Sequence, residues 1–552
     1  MAVHVDICES TSLDLSSEDA SNCEEQNDEI KNQQLSLLIQ QTSLDELGEI
    51  NTAPLFTAPI LRHAQHLGAS TSAAAFSQYG LLAGDARSLQ ETSSDDPRIF
   101  YNVATPASVF ICGSQGSGKS HTLSCILENC LIQSDKLGSL PRPLTGIVFH
   151  YDDYASDSRV NPCEAAYLGS HPTISVRVLC SPTNIRAIKE SYGQLQNVTV
   201  EALRLDQSDL NTRRMMELMV FDRAQPLYAS VIQRILRDMR LSHQDKPGRF
   251  NYREFITKLE DEPLSADQKR GLRQRLDTLQ SFMVAEQVKP FPWGMSKGNA
   301  VRAGTDWMPK VSYQYSCALL IAPIMLVFRL ISDSKAGELI IIDLSCPCVT
   351  TSMACALFNI CLSIFLAQDP SLGRVVALDE AHRYMGDTSD CEVLTNSLLA
   401  AIRFQRHLGA RIIISTQEPT ISPKLLDLCS ITIVHRFSSP DWLNVLTKHL
   451  AGISKVSKLT NKVDNMGIDD DDGEANCGLR GIAVSLDDPI LDLFSQIVEL
   501  RTGEALVFAP SAIVSLERQG SKVTPRKLAH GVLRVVMRAR ITADGGRSIM
   551  AA

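Results

Sequence analysis

Between residues 108 and 127 the chain reads SVFICGSQGSGKSHTLSCIL. An apolar run stops at a cluster of glycines and serines, a lysine and a hydroxyl follow, and a new apolar pattern begins. Gly113, Ser114, Gln115, Gly116, Ser117, Gly118, Lys119 and Ser120 fit the spacing G-x-x-x-x-G-K-S. The glycines let backbone N–H groups turn inward as a cradle for phosphate oxygens. A helix starting there aims its positive end at the same point. Lys119 has the length to reach β- and γ-phosphates, and Ser120 is the hydroxyl such loops use on Mg²⁺. The chemistry implied is binding of a nucleoside triphosphate, ATP, with Mg²⁺.

Other residue groups suit the same chemistry. RVVALDEAHRY is an apolar strand ending in two acids. Asp379 suits the Mg²⁺ shell, and Glu380 suits the polarisation of an attacking water. An acid pair there favours hydrolysis over phosphoryl transfer to a small molecule. ARIIISTQEP ends in Thr416-Gln417, where a glutamine can sense a γ-phosphate or position water. Arg403, Arg406 and Arg411 precede that strand. Each is either a finger for a neighbouring subunit's nucleotide or part of a solvated basic face, and Arg436 in IVHRF has the same two readings.

These groups need a scaffold, and the hydrophobic pattern predicts one. SVFICG (108–113), GIVFHYDD (146–153) and SVRVLCSP (175–182) read as buried strands, with a helical pattern over 119–132. GELIIIDLS, GRVVALDEAH, ARIIISTQEP, SITIVHRF and GEALVFAP continue the series, with helices near 350–367 and 390–407. Strand–helix alternation predicts an α/β fold with a mostly parallel sheet. The expected divisions are an acidic, disordered leader at 1–95, a first part of a P-loop ATPase core at 96–184, and a mostly helical insertion at 185–318. A second part of the core follows at 319–512, then a basic tail at 513–552.

Composition sets the class. Of 552 residues, 44% are hydrophobic and 21% charged, as in globular proteins. The net charge of −10 is unevenly placed: the first fifty residues hold twelve acids and one lysine, leaving the remainder near neutral. That balance neither demands nor excludes a polyanion. The fifteen cysteines run from Cys8 to Cys477, several of them (Cys112, Cys125, Cys180 and Cys361) inside apolar runs, with no secretory signal ahead of them. They fit buried thiols in a reducing, intracellular compartment, nucleus or cytoplasm. Cys346-Pro-Cys348 lacks a partner pair at zinc spacing. The apolar runs 317–328 and 353–367 are too short to span a bilayer, so no membrane role is expected.

In order, the pieces GSQGSGKS, IIIDLS, VVALDEAH, RHLGARIIISTQEP, IVHRF and TGEALVF resemble the HerA/FtsK superfamily of P-loop ATPases, the HerA-like branch most closely. The resemblance covers about 100–153 and 320–510. It implies an additional strand between the two nucleotide motifs. It assigns Lys119 and Ser120 to phosphate and Mg²⁺, Asp379 to the Mg²⁺ shell, Glu380 to water activation and Gln417 to sensing. Arg406 falls where the family has an arginine that commonly reaches the adjacent subunit. Family members commonly form hexameric rings that move along DNA. Two departures stand out: no N-terminal β-barrel is visible, and the helical insertion is large. The expectation is an ATP-hydrolysing motor, a homo-oligomer acting on DNA, with basic-tail residues Lys522, Arg526, Lys527, Arg534 and Arg538 available to phosphates. The alternative is a nucleotide-operated switch or scaffold for protein partners.

Overall fold

The computed structural model describes residues 31–35, 45–71, 76–90, 96–156, 160–219, 226–242, 250–288, 337–368, 372–386, 389–449, 489–519 and 522–545. The strands are β1 (Leu55–Thr57), β2 (Tyr79–Asp85), β3 (Arg98–Asn102), β4 (Ser108–Cys112), β5 (Gly138–Ser139), β6 (Thr145–His150), β7 (Ser175–Cys180), β8 (Val198–Ala202), β9 (Glu338–Asp343), β10 (Arg374–Leu378), β11 (Ala410–Thr416), β12 (Ile431–Val434), β13 (Glu504–Phe508), β14 (Ile513–Gln519), β15 (Lys522–Lys527) and β16 (Leu533–Met537).

They form one sheet with two halves. Strands β12-β4-β11-β10-β6-β9-β7-β8 are all parallel. Beyond β12 the order continues β13-β16-β2-β3-β1-β14-β15, antiparallel except where β1 meets β14. The central parallel strands are buried on both faces, which is why they read as unbroken apolar runs. Alternate residues serve opposite cores. Phe110, Ile342, Leu378 and Ile414 join one, with the helices Thr351–Leu366 and Ser389–Arg403 and the insertion's Phe255 and Phe282. Val109, Ile341, Ala377 and Ile413 join the other, with the helix Lys119–Leu131.

β11 lies between β4 and β10. That is the additional strand expected from the sequence, separating the phosphate-loop strand from the acid-pair strand. With strands spaced about 4.8 Å apart, the two motifs stand about 10 Å apart along one rim.

The ends of the chain correct the expected divisions. The leader does not reach residue 95: a helix at Asp45–Thr52, β1, a helix at Ala58–Thr71 and β2 already belong to the fold. Their sequence signal is weak because β1 is three residues long and β2 contains two glycines. Both are covered only once β3 and the C-terminal strands complete the layer. Phe56, Phe76 and Phe100 form a separate aromatic core there, with Phe56 and Phe76 stacked at 3.7 Å between centroids. GEALVFAP is not the last strand either, since β14, β15 and β16 follow. The basic tail is thus folded. Arg534 pairs with Glu504 at 2.9 Å, Arg526 with Glu517 at 3.2 Å, and Lys527 with Glu49. The insertion also starts later than 185, because the helix Ile185–Tyr192 and β8 extend the parallel sheet. β8 is a half-exposed edge strand and lacks the apolar run of its neighbours. From Thr212 the described part of the insertion is helical. The boundary at 318/319, the run 317–328 and the acidic loop near 464–478 lie outside the described residues.

Arg538, at 2.6 Å, and Arg540, at 4.0 Å, pair with Glu128 and tie the C-terminal segment to the phosphate-loop helix. Glu128 on that helix is fully buried. Arg538 Nη1 reaches its Oε2 at 2.6 Å, and Thr542 donates to Oε1 through its hydroxyl at 2.6 Å and its N–H at 3.0 Å. Arg538 also donates to the Leu81 and Cys125 carbonyls. Arg538→Ala removes the nearer of two cations from a buried carboxylate, leaving Arg540 Nε at 4.0 Å, and should cost about 3 kcal/mol, the low end for breaking a buried pair. Urea denaturation should show a loss of that size; parent-like stability would mean that the tail is not anchored through Glu128.

Candidate nucleotide site

The loop after β4 has the backbone that a phosphate cradle needs. Gly113, Gly116 and Gly118 have φ of 152°, 72° and 114°. A Cβ on Gly113 would come within 2.7 Å of His435, whereas one on Gly116 would meet nothing within 4 Å. The helix starts at Lys119, with Gly118 as its left-handed N-cap. Lys119 is almost wholly buried and its Nζ donates to the Ser114 carbonyl at 3.0 Å. Burial pushes its pKa down, and Glu380 and Asp379 oppose that shift. Ser114 is held in turn, its N–H and hydroxyl both donating to the Arg436 carbonyl at 2.9 and 2.8 Å. Ser117 Oγ closes the loop on Ser114 O at 2.7 Å. Ser120 is the helix's second residue and is half-buried, while Gln115 is exposed.

Register places the other motifs on the same rim. Leu378 pairs with Ile414, and Thr416 pairs with Cys112. Asp379, Glu380, Gln417 and Gly113 therefore follow the ends of three adjacent strands. Gln417 Nε2 donates to Glu380 Oε2 at 3.2 Å, joining two of the predicted site residues directly. Glu380 is in the left-handed region, φ 47°, where a non-glycine residue is strained. That bend turns the chain out of β10 into the short helical turn Ala381–Arg383. His382 Nδ1 accepts from the Gln417 N–H at 3.4 Å and lies 3.4 Å from Glu380 Oε2. Burial holds its pKa below the ordinary value, against the influence of Glu380, which fits a neutral ring accepting at Nδ1. Asp379 is buried, and its Oδ1 has no hydrogen-bond partner. Its Oδ2 faces His150 Nδ1 at 3.5 Å and Cys163 Sγ at 3.6 Å.

The arginines separate. Arg411 is buried and donates to the carbonyls of Val103, Ala104 and Gly409, which rules out both a solvated face and a finger. Arg403, Arg406 and Arg436 are exposed. Arg406 precedes β11, whereas Gln417 follows it. The seven residues of β11 span about 23 Å, so Arg406 is at the far rim from its own phosphate loop. Arg538 and Arg534, expected at a phosphate surface, are engaged within the fold.

A phosphate cradle with a lysine, a helix N-terminus, and an orphaned carboxylate oxygen one strand beyond the intervening strand suits a nucleotide with Mg²⁺. The chain has the P-loop NTPase fold, of the additional-strand kind. No protein-family model and no curated protein matches it. Among solved structures it is similar to VirB4 of Thermoanaerobacter pseudethanolicus (10% identity, TM-score 0.40, covering 84% of this chain and 96% of that one). It is similar to the plasmid coupling protein TrwB in complex with the ATP analogue ADPNP (12% identity, TM-score 0.40, 86% and 97%). It is also similar to the genome packaging NTPase B204 from Sulfolobus turreted icosahedral virus 2 (12% identity, TM-score 0.20, 35% and 68%). Likeness this distant assigns neither a superfamily nor an activity. Among the described residues, no helix is long and apolar enough to cross a membrane.

His382, His150, Cys163 and His435 were not singled out from the sequence. His435 sits in IVHRF, a quoted motif, yet nothing in its spacing marks it. Its Nδ1 donates to the Glu504 carbonyl at 2.9 Å, and its Nε2 accepts from Thr122 Oγ1 at 2.9 Å. It thus clamps the phosphate-loop helix to β13. Burial holds its pKa at about 4, with the Lys119 charge adding and the Glu504 carbonyl opposing. Between the ordinary value near 6.5 and about 4, the unfolded chain binds a proton that folded His435 refuses. Stability should therefore fall as pH falls through that window, by up to about 3 kcal/mol from this group. His435→Gln should be destabilised at pH 7, and the gap from the parent should narrow as pH approaches 4. Urea midpoints that differ by the same amount at every pH would contradict a neutral, buried His435.

Proposed function

We propose that the chain binds ATP with Mg²⁺ at Gly113–Ser120 and hydrolyses it, as a motor-type ATPase of the HerA/FtsK superfamily that works on DNA as a ring of identical subunits. The observation that carries the hydrolytic reading is the Gln417–Glu380 hydrogen bond on the rim that also holds the phosphate loop. It couples a residue beside the loop to the carboxylate that would act as base.

In this reading the γ-phosphate replaces the Ser114 carbonyl as the partner of Lys119. Ser120 and Asp379 hold Mg²⁺, which offsets charge on the phosphate oxygens. Glu380 accepts a proton as water oxygen bonds to the γ-phosphorus and the bond to the ADP oxygen breaks. Gln417 holds the Glu380 carboxylate and reports the γ-phosphate's presence. Arg406 cannot serve its own nucleotide from the opposite rim, so its role would be at the neighbouring subunit's. One observation favours the switch or scaffold alternative: the basic tail is folded into the sheet and offers less free charge to a DNA backbone. DNA-stimulated turnover with an ATP-dependent rise in mass by light scattering supports the motor. Slow turnover indifferent to DNA supports the switch.

Lys119→Ala should weaken ATP binding or abolish turnover. Glu380→Gln should still bind ATP while turnover falls by about 10²–10⁴, the usual worth of a general base. Parent-like hydrolysis by either variant would remove the assignment.

Arg406→Ala should bind ATP normally and hydrolyse it poorly, since fingers of this kind contribute about 10³–10⁵ in rate in well-studied GTPases. Mixed with Glu380→Gln, it should regain turnover, because some interfaces then pair an intact base with an intact arginine. A parent-like rate for Arg406→Ala, or no gain on mixing, would argue against a shared site.

A further inference from the structure

Three ligand types converge beside the nucleotide site, and only Asp379 among them also has a part in it. His150 ends β6, Cys163 precedes the short helical turn Glu164–Ser170, and Asp379 follows β10. One ligand atom from each lies within 4.8 Å of the other two, and all three residues are buried. Neither His150 nitrogen makes a hydrogen bond of good geometry, Nδ1 having only its 3.5 Å approach to Asp379 Oδ2, and Asp379 Oδ1 has no partner. Unpartnered polar atoms at such depth are costly and call for an explanation.

The spacing supplies one. Zn²⁺ binds nitrogen and carboxylate oxygen at about 2.0–2.1 Å and thiolate sulfur at about 2.3 Å, tetrahedrally. The edges of such a tetrahedron are about 3.3 Å from nitrogen to oxygen and about 3.5 Å from sulfur to oxygen. The observed separations are 3.5 Å for His150 Nδ1 to Asp379 Oδ2 and 3.6 Å for Cys163 Sγ to the same oxygen. The backbone behind the thiol is also fixed. The Cys163 N–H donates to Tyr192 Oη at 2.8 Å, and that hydroxyl donates to Asp343 Oδ2 at 2.6 Å. Asp343 is the register partner of His150 across β6 and β9. Outer contacts of this kind hold ligands in place.

We propose that His150, Cys163 and the Oδ2 atom of Asp379 form a binding site for a zinc-like divalent cation, with a fourth position open. The donor set excludes Mg²⁺, which takes oxygen ligands almost alone, and suits borderline-soft Zn²⁺ or Co²⁺. The incoming ion displaces the thiol proton and takes the lone pair of the imidazole nitrogen. It binds one oxygen of Asp379 and leaves the other for the magnesium of the nucleotide site. The inference goes beyond ATP hydrolysis and is tested without nucleotide.

The probe is Co²⁺ titrated into the full, reduced, nucleotide-free chain. One equivalent should produce the visible bands of tetrahedral cobalt together with a thiolate-to-cobalt charge-transfer band. Cys163→Ser, a near-isosteric change, should lose the charge-transfer band. His150→Ala should weaken Co²⁺ and Zn²⁺ binding at least about 10-fold, the lower end of what outer-shell changes alone do. Retained circular dichroism and urea midpoint identify variants that still fold. A parent chain with no tetrahedral cobalt spectrum overturns the proposal whatever the variants do. So does a charge-transfer band that survives in folded Cys163→Ser, which would place the metal on other thiols.

Discussion

A buried ammonium and two nearby carboxylates must be kept apart from water and close to one another, and this constraint organises the centre of the molecule. Lys119 loses hydration as it enters the loop, which weakens its hold on a proton; Asp379 and Glu380 restore part of what burial removes. The three charges come from strands separated by β11. Only a fixed hydrogen-bond register can hold that separation, because a slip of one residue would send each side chain to the opposite face. The double burial of β4, β10 and β11 follows from this requirement: two packed cores leave no register in which those strands are equally satisfied.

The antiparallel half serves the same end from a distance. β13 is clamped to the phosphate-loop helix through His435, and the segment after β16 is clamped to it through Glu128. The helix thus has fixed neighbours in its first turn, at Thr122, and near its C-terminal end, at Glu128. The N-terminal and C-terminal segments meet to build this support: Thr57 Oγ1 donates to the Val514 carbonyl, and Arg538 donates to the Leu81 carbonyl. Neither end would bury its aromatic residues alone, and together they cover the edge of the sheet that β12 would otherwise expose.

What the sequence revealed, and what it hid, divides along distance in the chain. The phosphate loop, the acid pair and the STQ strand end are local patterns, and each sits where its spacing placed it. The parallel order was legible because fully buried strands leave long apolar runs, whereas the place of β11 between β4 and β10 was implied by the family resemblance. β8 and β15 were hidden because they are polar, exposed edge strands, and β1, β2, β14 and β16 because they are short or polar and pair with strands hundreds of residues away. Arg538 looked like a free cation because Glu128, its partner, is 410 positions distant. Nothing local marked Cys163, because Asp379 is 216 positions distant. Arg411 looked like its exposed neighbours because a helix-end arginine and a strand arginine share the same flanking residues, and only packing sends one inward.

Glu380 shows how these levels meet in one residue. A strand that simply continued past Leu378 would place Asp379 and Glu380 on opposite faces, with one acid withdrawn from the rim. The left-handed bend at Glu380 interrupts that alternation and starts the Ala381–Arg383 turn at once. The turn brings His382 to the Gln417 N–H and sends Arg383 back to Asp152 at 2.6 Å, at the end of β6. The strain at one residue, about 1–3 kcal/mol for a conformation of this kind, is held by hydrogen bonds to the elements on both sides of β10. A relaxed backbone there would release Glu380 from Gln417 and separate the base from the sensor.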